Sequence, residues 1–293
     1  MKDWVIGVIG GSGLYDLDGL TNRKTLRLES PWGAPSDDLV TGSLEGVRLV
    51  FLPRHGQGHR LPPTAINARA NIDVLKRAGC TDVVSVSAVG SLKEELPPGT
   101  FVVVDQFIDR TVARPASFFG PGLVAHVSMA DPVCPVLSSA ATTAARAAGA
   151  TTVGRGTYVA IEGPQFSTRA ESELFRTWGC SVIGMTAMPE ARLAREAEMP
   201  YASVCMVTDY DCWRSDTAHV EVAGVLATMR ANAETARRML GELVCGLPQT
   251  RRASPIDTGL DQAVVTAPSA RDPALVSKLA AICPRLFSAD PAR

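Results

Sequence analysis

The chain has 293 residues, with 29 Lys and Arg against 30 Asp and Glu, so its formal net charge is −1. This balance argues against a dedicated nucleic-acid-binding protein, which normally carries a basic excess. Hydrophobic residues make up 46% and charged residues 20%, which excludes a disordered chain. No apolar stretch reaches the roughly 18 residues of a membrane span, and the N-terminus lacks a signal-peptide pattern. We therefore expect a cytoplasmic protein without a membrane partner.

Short apolar runs rich in β-branched residues predict strands that alternate with amphipathic helices. The predicted strands are 4–9, 49–52, 83–86, 101–104, 158–161 and 202–207. The predicted helices are 67–78, 135–148, 169–178, 189–198 and 220–243. This alternation is typical of an α/β fold, and we expect a single domain with a mixed central β-sheet flanked by helices on both faces.

The composition changes after residue 245. Residues 246–257 are rich in Pro, Arg, Ser and Thr, and one more helix is predicted at 272–282. We therefore expect the catalytic domain over residues 1–245 and an appendage of the same domain, a lid or a subunit contact, over 246–293. The seven cysteines are scattered without a Cys-x-x-Cys pair, which argues against disulfides and a structural zinc site.

Polar loops follow the predicted strands, where α/β sheets hold their ligands. The loop Gly10-Gly11-Ser12-Gly13 can hold an anion through backbone N–H groups and the Ser12 hydroxyl, although a plain tight turn explains it equally. A dinucleotide-binding fingerprint fails because its third glycine is missing. The next loop carries Arg54, His55 and His59, which are suitable donors for an oxyanion, or else form a solvated basic loop.

Further strand ends add hydroxyl, aromatic and carboxylate side chains. The candidates are Ser87, Ala88, Phe166, Ser167, Met185, Thr186, Asp209 and Asp211. Serines at strand ends also bond their own backbone, and the two aspartates also fit an ordinary turn. No third carboxylate or histidine stands at a metal-ligand spacing, so we expect no metal. The combined set favours a substrate pair of phosphate and a flat heteroaromatic base.

Longer motifs narrow this interpretation. They are 9–14 (IGGSGL), 30–36 (SPWGAPS), 54–56 (RHG), 90–92 (GSL), 105–111 (DQFIDRT), 161–164 (IEGP), 185–186 (MT) and 208–213 (TDYDCW). In these motifs, over residues 4–245, the chain resembles the 5′-methylthioadenosine phosphorylases, in the trimeric branch of the purine nucleoside phosphorylase superfamily. The tail is similar only loosely: residues 256–258 stand where some relatives carry Cys-x-Cys, so no disulfide is expected there.

The resemblance implies a role for each candidate. Phosphate is expected at Ser12, Arg54, His55, Ser87, the Ala88 backbone and Thr186. Adenine is expected at Phe166, Ser167, Asp209 and Asp211, and the ribose over Met185. The 5′-alkylthio group is expected at His59, Val222 and Val225, with His126 from a neighbouring subunit. Ordinary core packing remains the alternative for the two valines, and a surface or core position for His126.

The implied reaction is phosphorolysis of 5′-methylthioadenosine to adenine and 5-methylthioribose 1-phosphate, with phosphate as co-substrate and no metal or organic cofactor. Asp209, if protonated in a partly dry pocket, would donate to N7 of the leaving purine, while Arg54 and His55 fix the phosphate. The resemblance also implies a homotrimer. Alternatives are a 6-oxopurine nucleoside phosphorylase, a phosphorylase for another 5′-modified deoxyadenosine, and a non-catalytic purine-binding protein.

Overall fold

The computed structural model describes residues 2–11, 13–214 and 222–287, apart from the side chains of 222–227. Its strands are β1 (Val5–Gly10), β2 (Thr21–Leu26), β3 (Leu39–Leu44), β4 (Val47–Pro53), β5 (Asp82–Ser91), β6 (Phe101–Val104), β7 (Gln106–Asp109), β8 (Thr152–Val153), β9 (Thr157–Ala160), β10 (Val182–Gly184) and β11 (Tyr201–Asp209). Its helices are α1 (Ala68–Arg77), α2 (Pro135–Ala147), α3 (Arg169–Thr177), α4 (Ala187–Glu196), α5 (Val222–Gly246), α6 (Pro273–Lys278) and α7 (Pro284–Phe287). The candidate Ser12 and the side chains of Val222 and Val225 lie outside the described residues.

The strands join one mixed sheet, which confirms the predicted fold class. The main path runs β2-β3-β4-β1-β5-β10-β9-β7, and β11 pairs with β5 and leads through β6 to β8. Strands β4, β1, β5 and β11 are parallel, whereas β10 runs antiparallel to β5. Strand β5 is therefore flanked by β1 and β11 at its beginning and by β11 and β10 at its end.

The six strands predicted from apolar runs are present, and β6 has the predicted bounds. The largest difference is in β5, which is predicted at 83–86 and continues to Ser91 in the structure. Pairing with β10 and β11 satisfies the backbone at Gly90 and Ser91 and keeps it extended. The apolar pattern does not predict β2, because its residues are polar and mostly exposed.

Neighbouring side chains of β1 point to opposite faces of the sheet and belong to separate cores. Ile9 shares one core with Ile72 of α1 and Leu193 of α4. Val8 shares the other with residues of α2 and with Leu240 of α5. Helices therefore cover both faces, as predicted.

Local sequence sets the helix ends. Thr168 and Glu171 form a reciprocal capping box at the start of α3. In α4, Met188 has extended backbone angles, so the regular helix begins at Pro189, as predicted. The predicted helix 272–282 is wrong in length, because α6 ends at Lys278 and α7 follows separately. None of the described helices is long and apolar enough to cross a membrane.

The described part of the tail, residues 247–287, packs against the rest of the chain. Leu260, Leu279 and Ile282 are fully buried in the core that α1 and α4 also line. Arg251 pairs with Asp82 at 2.6 Å and with Asp257 at 2.7 Å. The tail therefore contributes to the core beside α1 and α4, while the boundary at residue 245 and a role as lid or subunit contact stay predictions.

Gly184, the last residue of β10, lies against the fully buried ring of Tyr158. A Cβ at residue 184 would lie 2.7 Å from Tyr158 Cζ and closer still to the hydroxyl. We therefore expect Gly184→Ala to lower the free energy of unfolding by about 1–3 kcal/mol. In the control Gly241→Ala, in α5, the added Cβ meets no described atom of another element within 4 Å, and we expect a gain of about 0.5–1 kcal/mol. Urea unfolding measures both, and equal values would contradict this packing.

Candidate functional site

The loops after β1 and β4 lie side by side. Gly10 pairs with Pro53 in the parallel register, and the Arg54 N–H donates to the Gly10 carbonyl at 2.9 Å. Gly11 therefore leaves its strand beside Arg54 and His55, at the carboxyl edge where α/β sheets hold ligands.

Ser87 and Thr186 come together because β10 runs antiparallel to β5. Ile183 pairs with Gly90, so the chain leaving β10 returns along β5 towards Ser87. The hydroxyl oxygens, Ser87 Oγ and Thr186 Oγ1, lie 3.4 Å apart, next to the half-buried Ala88. Thr186 precedes α4, and its hydroxyl makes no capping bond. Two hydroxyls that lie together at the carboxyl edge of the sheet are a suitable anion site.

Arg54 is buried, and most of its guanidinium is bonded within the protein. Nε and Nη2 donate to the two carboxylate oxygens of Glu190 at 2.9 and 3.1 Å. Nη2 also donates to Ser85 Oγ at 2.6 Å, and Nη1 donates to the Val86 carbonyl at 3.1 Å. The sequence predicts a fork for an oxyanion here, but in the structure Glu190 occupies that fork. The sequence does not predict this pairing, because Arg54 and Glu190 are 136 residues apart along the chain.

His55 presents one donor and one acceptor. Its Nδ1–H donates to the Leu61 carbonyl at 2.9 Å, because a carbonyl oxygen can only accept. The ring of His59 stacks on it, with 4.2 Å between centroids and 14° between planes. Burial lowers the pKa of His55 to about 4, and the positive charge of Arg54 acts in the same direction. The ring is therefore neutral near pH 7 with Nε2 as an acceptor, so His55 can contact phosphate by accepting from a P–OH group and not as the donor that the sequence predicts.

The remaining histidine candidates differ in their surroundings. His59 is exposed, with φ of 55°, and joins the phosphate candidates only through its stacking on His55. His126 is also exposed, and its backbone N–H donates to the Ala263 carbonyl of the tail at 2.8 Å. Within residues 2–11, 13–214 and 222–287, no hydrogen bond or ring contact joins the His126 side chain to another candidate. Its expected role in a neighbouring subunit stays a prediction.

Asp209 is the last residue of β11 and lies beside Gly90 of β5. Its Oδ2 accepts from the Thr208 hydroxyl at 2.7 Å, and its Oδ1 accepts from the Asp211 N–H at 2.8 Å. A Cβ at residue 90 would lie 3.0 Å from Asp209 Oδ1, so the glycine leaves room for this carboxyl group. Burial raises the pKa of both Asp209 and Asp211. At Asp209 the hydrogen bonds from Thr208 and from the Asp211 N–H oppose this upward shift of the pKa, and burial outweighs them.

Arg114 is a residue of this region that the sequence analysis misses. Its guanidinium donates to the carbonyls of Glu162, Met185 and Met188, and it pairs with the Glu162 carboxylate at 3.4 Å. These bonds fix the loop 162–167 against Met185. Nothing in the sequence singles out Arg114, because carbonyl acceptors carry no residue-type signal.

The loop 162–167 also contacts the segment after β11. Cys212 Sγ donates to the Ser167 carbonyl at 3.3 Å. Ser167 Oγ is buried without a hydrogen-bond partner among the described residues, so this hydroxyl is available to a ligand. Phe166, the aromatic candidate of this loop, is 51% exposed.

Strand β5 joins the two halves of the site. Ser87, beside Thr186, and Gly90, beside Asp209, are three residues apart on this strand, or roughly 10 Å. Ser87 pairs with Cys205, and Asp209 follows four residues later on β11, an even spacing that keeps it on the face of Ser87. A register shift after Val207 brings Asp209 beside Gly90. A ligand pair with an anionic and a heteroaromatic part can therefore contact both positions. In the part of the chain that the structure describes, no group of three or more His, Cys, Asp or Glu side chains could hold a metal ion.

The depressed pKa of His55 has a measurable effect on stability. Between pH 6.5, the ordinary histidine value, and about pH 4, the unfolded chain binds a proton at this residue more readily than the folded chain does. We therefore expect the free energy of unfolding to fall as the pH falls through this window, and to fall less steeply in His55→Gln. Denaturant unfolding at several pH values measures the slopes, with His126→Gln as the exposed-site control. An NMR titration of the His55 ring near pH 6.5 would contradict the assignment.

The chain is similar to proteins of one activity class over nearly its whole length. Residues 5–244 match the family model of the phosphorylase superfamily. An S-methyl-5′-thioadenosine phosphorylase of Cereibacter sphaeroides is 55% identical, covering 97% of this chain and 98% of that relative. A protein of the same name from Bradyrhizobium diazoefficiens is 55% identical, covering 98% of this chain and 99% of that relative.

Solved structures agree with these matches. A crystal structure of a methylthioadenosine phosphorylase from an Antarctic soil metagenomic library has a TM-score of 0.90 at 46% identity, covering 96% of this chain and 99% of that chain. The Schistosoma mansoni methylthioadenosine phosphorylase in complex with adenine has a TM-score of 0.76 at 39% identity, covering 83% and 91%. The chain therefore belongs to the phosphorylase superfamily and, within it, to the S-methyl-5′-thioadenosine phosphorylases.

Proposed function

We propose that this chain catalyses the phosphorolysis of 5′-methylthioadenosine to adenine and 5-methylthioribose 1-phosphate. The observation that carries the proposal is the pairing along β5: Ser87, whose hydroxyl lies beside that of Thr186, is on the same strand as Gly90, which lies beside the half-buried carboxyl group of Asp209. An anion and a purine can therefore bind side by side. The names of the relatives support the same reaction.

Each candidate has a proposed role in this reaction. Phosphate contacts are assigned to Ser12, Arg54, His55, Ser87, the Ala88 backbone and Thr186. Adenine contacts are assigned to Phe166, Ser167, Asp209 and Asp211, and the ribose contact to Met185. The 5′-methylthio contacts are assigned to His59, Val222 and Val225, with His126 supplied by a neighbouring subunit of a homotrimer. Phosphate is a co-substrate, no metal or organic cofactor takes part, and the enzyme works in the cytoplasm.

In this mechanism a phosphate oxygen attacks the anomeric carbon as the bond from that carbon to the purine breaks. The electron pair of the broken bond moves onto the purine, and protonated Asp209 donates to N7. The site residues supply position and hydrogen bonds, and no covalent enzyme intermediate forms. The raised pKa of Asp209 supports its role as the acid.

Strict dependence on phosphate tests the proposed reaction. We expect adenine release from methylthioadenosine to need phosphate and to yield the sugar 1-phosphate. The reason is that the proposed attacking group is the phosphate itself. Adenine release is followed by chromatography with and without phosphate, and ³¹P NMR detects the product. Equal rates in phosphate-free buffer, with free methylthioribose as product, would refute the reaction.

Asp209→Asn tests the choice of base. An asparagine keeps an oxygen for the Asp211 N–H and, because the Thr208 hydroxyl can rotate to accept, also a partner for that hydroxyl. The loop should therefore survive, while the acidic proton is lost. We expect kcat/KM for methylthioadenosine to fall by about 10²-fold or more, with a relative shift towards methylthioinosine.

Initial rates on the two nucleosides measure this shift, and the melting temperature controls for folding. Since burial raises the pKa of Asp209, wild-type activity should fall as rising pH removes its proton. An unchanged ratio of the two kcat/KM values in Asp209→Asn would show that Asp209 only holds the loop.

A further inference from the structure

The ion pair between Arg54 and Glu190 is more tightly enclosed than a surface pair. Both side chains are 3% exposed, and the two carboxylate oxygens receive Nε and Nη2 of the guanidinium at 2.9 and 3.1 Å. Such a two-point contact fixes the plane of the guanidinium as well as its distance.

Most of the other N–H groups of the Arg54 guanidinium also have acceptors within the protein. Nη2 reaches Ser85 Oγ at 2.6 Å and the Ile9 carbonyl at 3.4 Å, and Nη1 reaches the Val86 carbonyl at 3.1 Å. A guanidinium has five N–H groups, two of them on Nη1. Among the described residues, only the second N–H of Nη1 has no acceptor. Arg54 can therefore offer an anion one hydrogen bond, in one direction.

Glu190 also connects this guanidinium to the hydroxyl pair. It lies in the first regular turn of α4, four residues after Thr186, whose hydroxyl is 3.4 Å from that of Ser87. Its Oε1 accepts in addition from the Tyr201 hydroxyl of β11 at 2.8 Å. One carboxylate therefore holds the end of β4, the start of α4 and the centre of the sheet in a fixed arrangement.

We propose that Glu190 is a positioning residue for the phosphate co-substrate: it orients Arg54 so that one Nη1 hydrogen faces the anion beside Ser87 and Thr186. This inference rests on the proposed function. Glu190 does not touch the substrate and acts through Arg54. If Glu190 only stabilised the fold, the loss of its carboxylate would lower the free energy of unfolding. KM for phosphate and KM for methylthioadenosine would then keep their wild-type ratio.

The test is Glu190→Gln, which keeps the shape and removes the charge that holds both guanidinium nitrogens. KM for phosphate is measured at saturating methylthioadenosine, and KM for methylthioadenosine at saturating phosphate. We expect the phosphate KM to rise about tenfold or more, and the nucleoside KM to change by less than about threefold.

The control is Glu196→Gln, at a buried glutamate of the same helix. Glu196 accepts from the Ser117 hydroxyl and the Phe118 N–H, each at 2.7 Å, and has no described contact with Arg54. We expect this variant to lose stability while its phosphate KM stays within about twofold of wild type. A rise equal to that of Glu190→Gln would overturn the proposal, since it would follow from helix damage alone.

A double-mutant cycle tests whether Glu190 affects phosphate binding through Arg54. If Glu190 acts through Arg54, adding Glu190→Gln to Arg54→Ala should leave the phosphate KM of the single variant unchanged. If Glu190→Gln raised the phosphate KM of Arg54→Ala as much as it raises that of wild type, the proposal would be overturned. A wild-type phosphate KM in Glu190→Gln alone would also overturn it. Should circular dichroism show that Glu190→Gln does not fold, Tyr201→Phe replaces it. This variant removes one bond to the carboxylate and should raise the phosphate KM about threefold, and an unchanged KM would again count against the proposal.

Measurements on the wild-type enzyme distinguish a failure of the proposed reaction from a failure of the positioning role of Glu190. Adenine release without phosphate would refute the proposed function itself. Phosphate-dependent release by wild type, together with an unaltered phosphate KM in Glu190→Gln, would refute the positioning role alone.

Discussion

The register of β5 is the constraint on which the site depends. This strand pairs with β1 and β11 at its beginning and with β11 and β10 at its end, so a slip of one residue would move every side chain to the opposite face. The same pairing brings Thr186 back to Ser87 and places Asp209 next to a residue without a side chain, Gly90. The anion-binding and base-binding halves of the candidate site thus lie at two positions of β5, and the constant rise per residue of the strand fixes the distance between them.

The charges at the candidate phosphate cluster are largely cancelled before any ligand binds. Glu190 neutralises Arg54, and burial keeps His55 uncharged near neutral pH. What the described residues offer an anion is a set of directed polar groups: two hydroxyls and one guanidinium N–H. Preorganised dipoles of this kind stabilise a developing charge without reorganising during the reaction.

The fold class and the position of most strands could be predicted from the sequence because buried strands leave continuous β-branched runs, as β6 does. Strand β2 could not, since its exposed residues have no apolar pattern. Polar residues such as Ser87 and Asp209 could be singled out from their places after predicted strands. Their pairing partners could not, because the return of β10 along β5 and the bonds of Arg114 and Glu190 depend on contacts between distant parts of the chain.

The burial of the tail has a consequence for biosynthesis. Leu260, Leu279 and Ile282 complete a core that otherwise consists of much earlier segments, and the indole N–H of Trp4 donates to the Pro248 carbonyl, 244 residues along the chain. A nascent chain whose residues 247–287 are still inside the ribosome lacks these contacts and leaves the α1/α4 side of the sheet partly uncovered. Contacts of such long sequence separation form slowly. Until residues 247–287 have emerged, the newly made chain therefore exposes apolar surface of this core, the kind of surface through which incompletely folded chains aggregate.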